Sequence, residues 1–287
     1  MKLHSFVVPF SADGGRLYGL VKRMLPQQPE YRLREAFARR DVKQNGARVA
    51  KDATAIGGAT VLVYLSEDSK LLIPEIVYED ANVLLINKPV GISCERDAKG
   101  GLTVGEWLWQ TAKERLACAP MPCHRLDNQT DGLLLLAKDE PTLLELETAF
   151  RERRVHKRYV CLVKGAPEPP EAALTAYLRK DADAARVTVL DRPAPDALTI
   201  RTDYRTLVRG DVSRLQIELH TGRTHQIRAQ MAHIGHPVLG DDVYGDRAFN
   251  RERKARRLML TSTELHFDLI GRLAYLNDLT LEVAPRF

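Results

Sequence analysis

The sequence predicts an α+β protein, with a mixed, mainly antiparallel sheet and flanking helices behind a small N-terminal α/β module. Three observations carry this. Short apolar runs recur beyond residue 75 with few helical stretches between them, which suits antiparallel pairing better than a doubly wound sheet. Residues 13–66 read as helix, turn and strand, a compact unit of their own. Charge divides at the same place. Residues 1–66 carry eleven Lys/Arg against five Asp/Glu, a net +6 in a chain of net +5, so the remainder sums to −1.

In the front module a first helix lies around Arg16-Leu17-Tyr18-Gly19. Residues 31–42 set Leu33, Phe37 and Val42 among arginines, an amphipathic pattern. Asn45-Gly46 is a tight-turn signal, and Gly57-Gly58 leads into a strand over 59–64. Residues 67–75 form a polar linker. The body, 76–287, then gives strands over 76–78 and 83–86, the second closed by Lys88-Pro89. A helix over 103–116, a buried strand over 133–137 and an amphipathic helix over 142–154 follow. Next come strands over 159–163, 198–204 and 215–219. A short helix over 224–234 puts Ile227, Met231 and Ile234 on one face, and strands over 264–267 and 279–283 close the chain.

With 287 residues, 44% of them hydrophobic, two domains with a real core are expected. Apolar runs such as Leu133–Leu136 are too short to cross a bilayer. The start, MKLHSFVVPF, has no stretch of signal-peptide length, so a cytoplasmic monomer is expected. Cys94, Cys118, Cys123 and Cys161 lack CxxC spacing and read as reduced thiols. His220, His225, His233 and His236 cluster without an HExxH pattern, so no metal is expected. The chain has no Gly-Lys dipeptide, which excludes a standard P-loop. The basic front end instead points to a polyanionic partner.

Three segments hold candidate chemistry. His124-Arg125-Leu126-Asp127-Asn128-Gln129-Thr130-Asp131-Gly132 is a polar loop before a buried strand. It reads either as a capped turn or as a catalytic loop. Residues 151–158 place five Lys/Arg ahead of Tyr159, either a solvated helix end or a phosphate track with a stacking ring. The segment from His220 to Arg228 places Arg223 at the expected start of a helix. The helix dipole disfavours a cation there unless an anion is held nearby.

Together these segments resemble the RluA family of RNA pseudouridine synthases. The family pattern HRLDxxTSGLLLLAK runs along His124 to Lys138, the Lys/Arg-Tyr motif along Lys157-Arg158-Tyr159, and TGRTHQIR…GHPVLGDxxYG along Thr221 to Gly245. Asp131 stands where the family usually has Ser, and Ile92-Ser93-Cys94-Glu95 is an unusual sequel to Lys88-Pro89-Val90-Gly91. The front module resembles the small RNA-binding domain named after ribosomal protein S-four, although Arg16-Leu17-Tyr18-Gly19 replaces its usual Arg-Leu-Asp-Lys.

The resemblance implies a cofactor-free isomerase of structured RNA, with rRNA favoured over tRNA. Asp127 matches the catalytic aspartate and Tyr159 the tyrosine that packs against the target base. Arg223 matches the arginine paired with the aspartate, and Arg125 the arginine that fills the space of a flipped nucleotide. His124, Arg158, His225, Gln226 and Arg228 complete the expected substrate contacts. A non-catalytic RNA-binding or ribosome-assembly protein is the alternative class.

Overall fold

The computed structural model describes residues 2–25, 28, 30–65, 75–95, 103–111, 116, 118–181 and 186–287. Contacts divide the chain into two compact units. The first is carried by residues 2–65, and the second by 75–95, 103–109 and the chain from 116 onward. The expected linker, 67–75, lies outside the described residues except for Glu75, as do residues 112–115 of the expected 103–116 helix.

The first unit is a four-stranded antiparallel sheet backed by two helices. Its elements are β1 (Lys2–Val7), α1 (Leu17–Met24), α2 (Glu30–Ala38), β2 (Val42–Gln44), β3 (Ala47–Arg48) and β4 (Thr60–Leu65), with strand order β1-β4-β2-β3. Leu17, Val21, Leu33 and Phe37 from the helices meet Val61 and Val63 of β4 in its core. Asn45 and Gly46 take φ of 49° and 82°, the left-handed pair that a two-residue hairpin turn requires. Lys43 pairs with Arg48 across that turn. The helix expected over 31–42 stops at Ala38 because Arg40 turns to φ 57° and Val42 joins the sheet opposite Val63. Strand β1, absent from the sequence reading, adds to β4 in the register Lys2↔Leu65.

The second unit is built on one 11-stranded sheet, as expected mixed and mainly antiparallel. Its strands are β5 (Glu75–Glu79), β6 (Val83–Lys88), β7 (Met121–Pro122), β8 (Asp131–Ala137), β9 (Val155–Lys164), β10 (Glu171–Asp181), β11 (Arg186–Leu190), β12 (Ala197–Val208), β13 (Val212–Leu219), β14 (Leu260–Phe267) and β15 (Leu281–Glu282). Helices α3 (Val104–Thr111), α4 (Glu140–Arg151), α5 (Gln226–His233) and α6 (Arg247–Glu252) connect them. The main order is β11-β10-β12-β13-β9-β14-β8-β6-β5, with β7 beside β8 and β15 beside β14. Every residue of β6 and β8 is buried, which explains why both read as continuous apolar runs. Leu85, Leu133, Leu135, Leu146 and Phe267 form the centre of this core.

The parallel pairing of β8 with β14 sets Gly132 against Ser262. Gly132 has φ 109°, and a Cβ there would run into the Ser262 backbone, so this close approach needs glycine. Strand β9 starts at Val155, four residues earlier than the sequence suggested, so the basic run 151–158 is divided. Arg151 ends α4, Arg153 turns at φ 62°, and His156 to Arg158 lie on the strand. The hairpin β10–β11 was not legible, because Arg179, Lys180 and Asp181 interrupt its apolar alternation. Among the described residues no helix is long and apolar enough to cross a membrane.

Candidate active site

Asp127 lies on the loop between β7 and β8, at the mouth of the sheet where β8, β9 and β14 meet. Several independent bonds hold that loop. Thr130 N–H donates to Asp127 O (3.0 Å), and Gly91 N–H donates to Asn128 O (2.8 Å). The buried Cys94 thiol accepts from Leu126 N–H (3.4 Å) and donates to Leu126 O (3.5 Å), gripping the residue before Asp127 on both sides. Asp131, the departure from the family pattern, is buried and accepts from Thr261 Oγ1 (2.6 Å) and Arg257 Nη1 (3.2 Å). At the start of β8 the chain thus replaces a small hydroxyl with a carboxylate that pairs with Arg257 and bonds Thr261 of β14.

A cleft of about 300 Å³ opens over Asp127. That is the lower end of the roughly 300–1,000 Å³ of small-molecule sites, a size for one nucleoside rather than a strand. Of the residues expected at the site, Asp127, His124, Arg125, Tyr159, Arg223, His225, Gln226 and Arg228 all line it.

Two assignments need correction. The arginine paired with Asp127 is Arg228, not Arg223. Arg228 Nη1 lies 3.3 Å from Asp127 Oδ2. Helix α5 begins at Gln226, behind a His225 N-cap at φ 53°, so its first turn carries Arg228 to the carboxylate while Arg223 stays exposed ahead of the cap. Arg158 is likewise absent from the cleft. Side chains alternate along a strand, so Tyr159 and Lys157 share the cleft side of β9 and Arg158 points away. It bonds Glu264 there through Nη1, at 2.9 and 3.1 Å.

Arg228 is itself held rigidly. Only 4% of its side chain is exposed, and it forks onto the fully buried Asp241 through Nε (2.7 Å) and Nη2 (2.9 Å). Burial penalises the guanidinium, but hydrogen bonds to Asp241 outweigh it and push the Arg228 pKa up. Burial raises the Asp241 carboxyl, and the bonds from Arg228 and from Tyr244 and Val243 N–H more than reverse that, leaving it below the usual range. A bidentate pair fixes direction as well as charge, so Asp241 aims the remaining Nη1 at Asp127.

His225 stands beside the pair. Its Nδ1 is 3.0 Å from Tyr244 Oη and its Nε2 3.8 Å from Asp127 Oδ2. Burial pulls its pKa down despite the attraction of Asp127. Tyr159 is 4% exposed with its ring in the cleft, and burial raises its phenol far above the usual value.

Two of the expected substrate contacts that line the cleft also bond to the scaffold. Gln226 donates to Arg201 O and Thr202 Oγ1 and accepts from Thr221 Oγ1 and Arg223 N–H, which uses its whole amide. The His124 ring packs on Phe150 and accepts from Leu135 N–H (3.1 Å). Burial, with Lys157 nearby, lowers its pKa to about 3.

The sequence reading gave Lys88 and Asp241 no role and took Lys157 as one of the basic run 151–158. Lys88 is fully buried and donates to Pro89 O (3.0 Å) and Ile92 O (3.1 Å), with a pKa lowered by burial to about 8. Its signal was a lone lysine closing an apolar run. The four clustered histidines each have a different partner: His220 bonds Asp203, His225 Tyr244, His233 Asp191, and His236 the Lys164 carbonyl.

Fold and cleft define an enzyme that admits one nucleoside-sized group to a fixed carboxylate. Residues 82–233 match the family model described as RNA pseudouridylate synthase. A large-subunit pseudouridine synthase C of Vibrio cholerae is 31% identical over 88% of this chain and 85% of its own. A tRNA pseudouridine synthase C of the same organism is 32% identical over 67% and 84%. The solved structure of human RNA pseudouridylate synthase domain containing 1 has a TM-score of 0.60 and 24% identity over 77% of this chain and 86% of its own, a likeness of fold. The chain belongs to the RNA pseudouridine synthase family: it is an isomerase that acts on uridine in RNA.

Proposed function

We propose that this enzyme is of the RluA type and modifies uridine in large-subunit rRNA, with Asp127 as its catalytic carboxylate. The observation that carries the site reading is Asp127 anchored by Arg228 inside a nucleoside-sized cleft that also contains the buried Tyr159 ring. The reaction breaks the N-glycosidic bond, turns the uracil and rejoins it through carbon 5. Bond cleavage builds positive charge on the sugar, as in other glycosyl transfers. Asp127 supplies the facing negative charge, and Arg228 fixes where it points. The Tyr159 ring offers the detached base a flat surface while it turns. Unstacking the nucleotide costs a few kcal/mol, which Arg125 offsets by filling the vacated place.

Most of the named relatives act on rRNA: large-subunit synthases C and D align over 88% and 83% of this chain and another synthase C over 70%, beside a tRNA synthase over 67%. The front unit, with its hairpin turn and net +6 over residues 1–66, serves as an S-four-like RNA grip. Mapping pseudouridines in total RNA of a deletion strain tests the substrate. One or more large-subunit positions should revert to uridine; a loss confined to tRNA would overturn the rRNA reading.

A further inference from the structure

Besides Arg228, the cleft is lined by two cations with no carboxylate partner among the described residues. Lys157 projects from β9 on the Tyr159 side, its Nζ 5.3 Å from the centre of the Phe150 ring. Burial alone depresses its pKa, with no anion offsetting the cost. A side-chain carbon built on Gly222 would lie 3.6 Å from that Nζ, so the ammonium stands beside the residue preceding Arg223. Arg223 lines the same cleft, and its guanidinium has no hydrogen-bond or ion-pair partner among the described residues. Its backbone N–H is held by Gln226 Oε1 (3.1 Å), so the position is fixed while the charge is left over.

A desolvated ammonium without a counter-charge is costly to keep. Among the described residues, the carboxylate that lines the cleft, Asp127, is paired with Arg228, and nearby Glu95 is paired with Arg125 (2.8 Å). A substrate anion beside Lys157 would offset that cost, and the exposed Arg223 next to Gly222 could share it.

We propose that Lys157 and Arg223 form a phosphate subsite that takes the backbone phosphate next to the uridine in the cleft. The subsite rests on the pseudouridine synthase reading and deepens it. One wall then holds the reacting sugar against Asp127, while the other fixes the nucleotide by its backbone. The arrangement costs no base specificity, since phosphate contacts position without reading sequence.

The test is the salt dependence of RNA binding, because each neutralised phosphate releases counter-ions and adds about 0.9 to the slope of log K against log salt. Lys157→Met, Arg223→Gln and Lys157→Arg are compared with the wild type on unmodified large-subunit rRNA and on tRNA transcripts. Thermal melts verify folding. The Met and Gln variants should each lose about one unit of slope, and the Lys157→Arg variant, which keeps the charge, should lose none. Mere packing roles for the two side chains would leave every slope unchanged, and that result, or a change in only one of the two, would overturn the subsite. Binding slopes need no turnover. If wild type makes no pseudouridine in the rRNA, the proposed substrate fails while the slopes still decide the subsite.

Discussion

The two walls of the cleft carry similar charges and use them differently. On one, Arg228 is sunk in a network with Asp241 and Asp127, every direction of its guanidinium specified. On the other, Lys157, over the Phe150 ring, and Arg223 line the same space with no carboxylate partner among the described residues. The first wall is complete before substrate arrives; the second becomes neutral only when an anion enters. The difference shows how to tell catalyst-holding from substrate-holding cations: the former are buried in pairs, the latter are left over.

The largest effect should come from the completed wall. Asp127→Asn removes the negative charge while keeping the shape. Tritium release from RNA labelled at uracil carbon 5 should fall below a few per cent of wild type, with RNA affinity largely retained. Appreciable residual release would remove Asp127 from its role.

Next is Arg228→Lys. Lysine keeps the charge but cannot span Asp241 and Asp127 in fixed geometry. A small misplacement of a reacting group costs about a hundredfold, so single-turnover rates at saturating enzyme should drop by that order. The matching change on the other wall, Arg223→Lys, preserves what a phosphate contact needs and should stay within about threefold of wild type, since the charge that sets phosphate affinity is retained. Equal losses for the two lysine variants would erase the contrast between the walls.

The buried pair also contributes to stability. Asp241→Asn strands Arg228 in the core, and breaking a buried pair in this way costs about 3 kcal/mol, readable as a lower midpoint in urea.

The smallest effect concerns acid. His124 is kept neutral, its pKa lowered to about 3 from 6.5 by burial first and by Lys157 second. Below pH 6.5 the unfolded chain binds a proton that the folded one refuses, so stability falls as pH drops from 6.5 towards 3. At pH 5 the loss is about 2 kcal/mol. Denaturation of the variant His124→Gln, which can still accept from Leu135 N–H, should lack this part of the slope; an unchanged slope would assign it to other groups.

Much of the site was legible in sequence because its parts are local. Asp127 sits in a nine-residue polar loop ahead of a strand buried on both sides, and that contrast survives in one dimension. Lys157 was legible too, as one of the basic run 151–158. Once Tyr159 opens onto the cleft, the two-residue period of a strand puts Lys157 beside it and sends Arg158 to the other face, against Glu264. The front hairpin was readable from Asn45-Gly46, since few other pairs tolerate two positive φ angles.

By itself the sequence determined the α+β class, the position of the polar loop that carries Asp127 and the basic front unit, because periodicity, turn chemistry and charge are properties of neighbouring residues. Only the tertiary structure decided which arginine meets Asp127. Arg223 and Arg228 lie five residues apart, each with the same charge and reach. The choice depends on α5 starting at Gln226 and on Asp241, from a separate loop, lying buried where it can clamp Arg228 alone. The same holds for Cys94 and Asp131, which look like odd substitutions in the chain. Their work is to hold Leu126 and to reach Thr261 and Arg257, partners that folding brings from 32, 130 and 126 residues away.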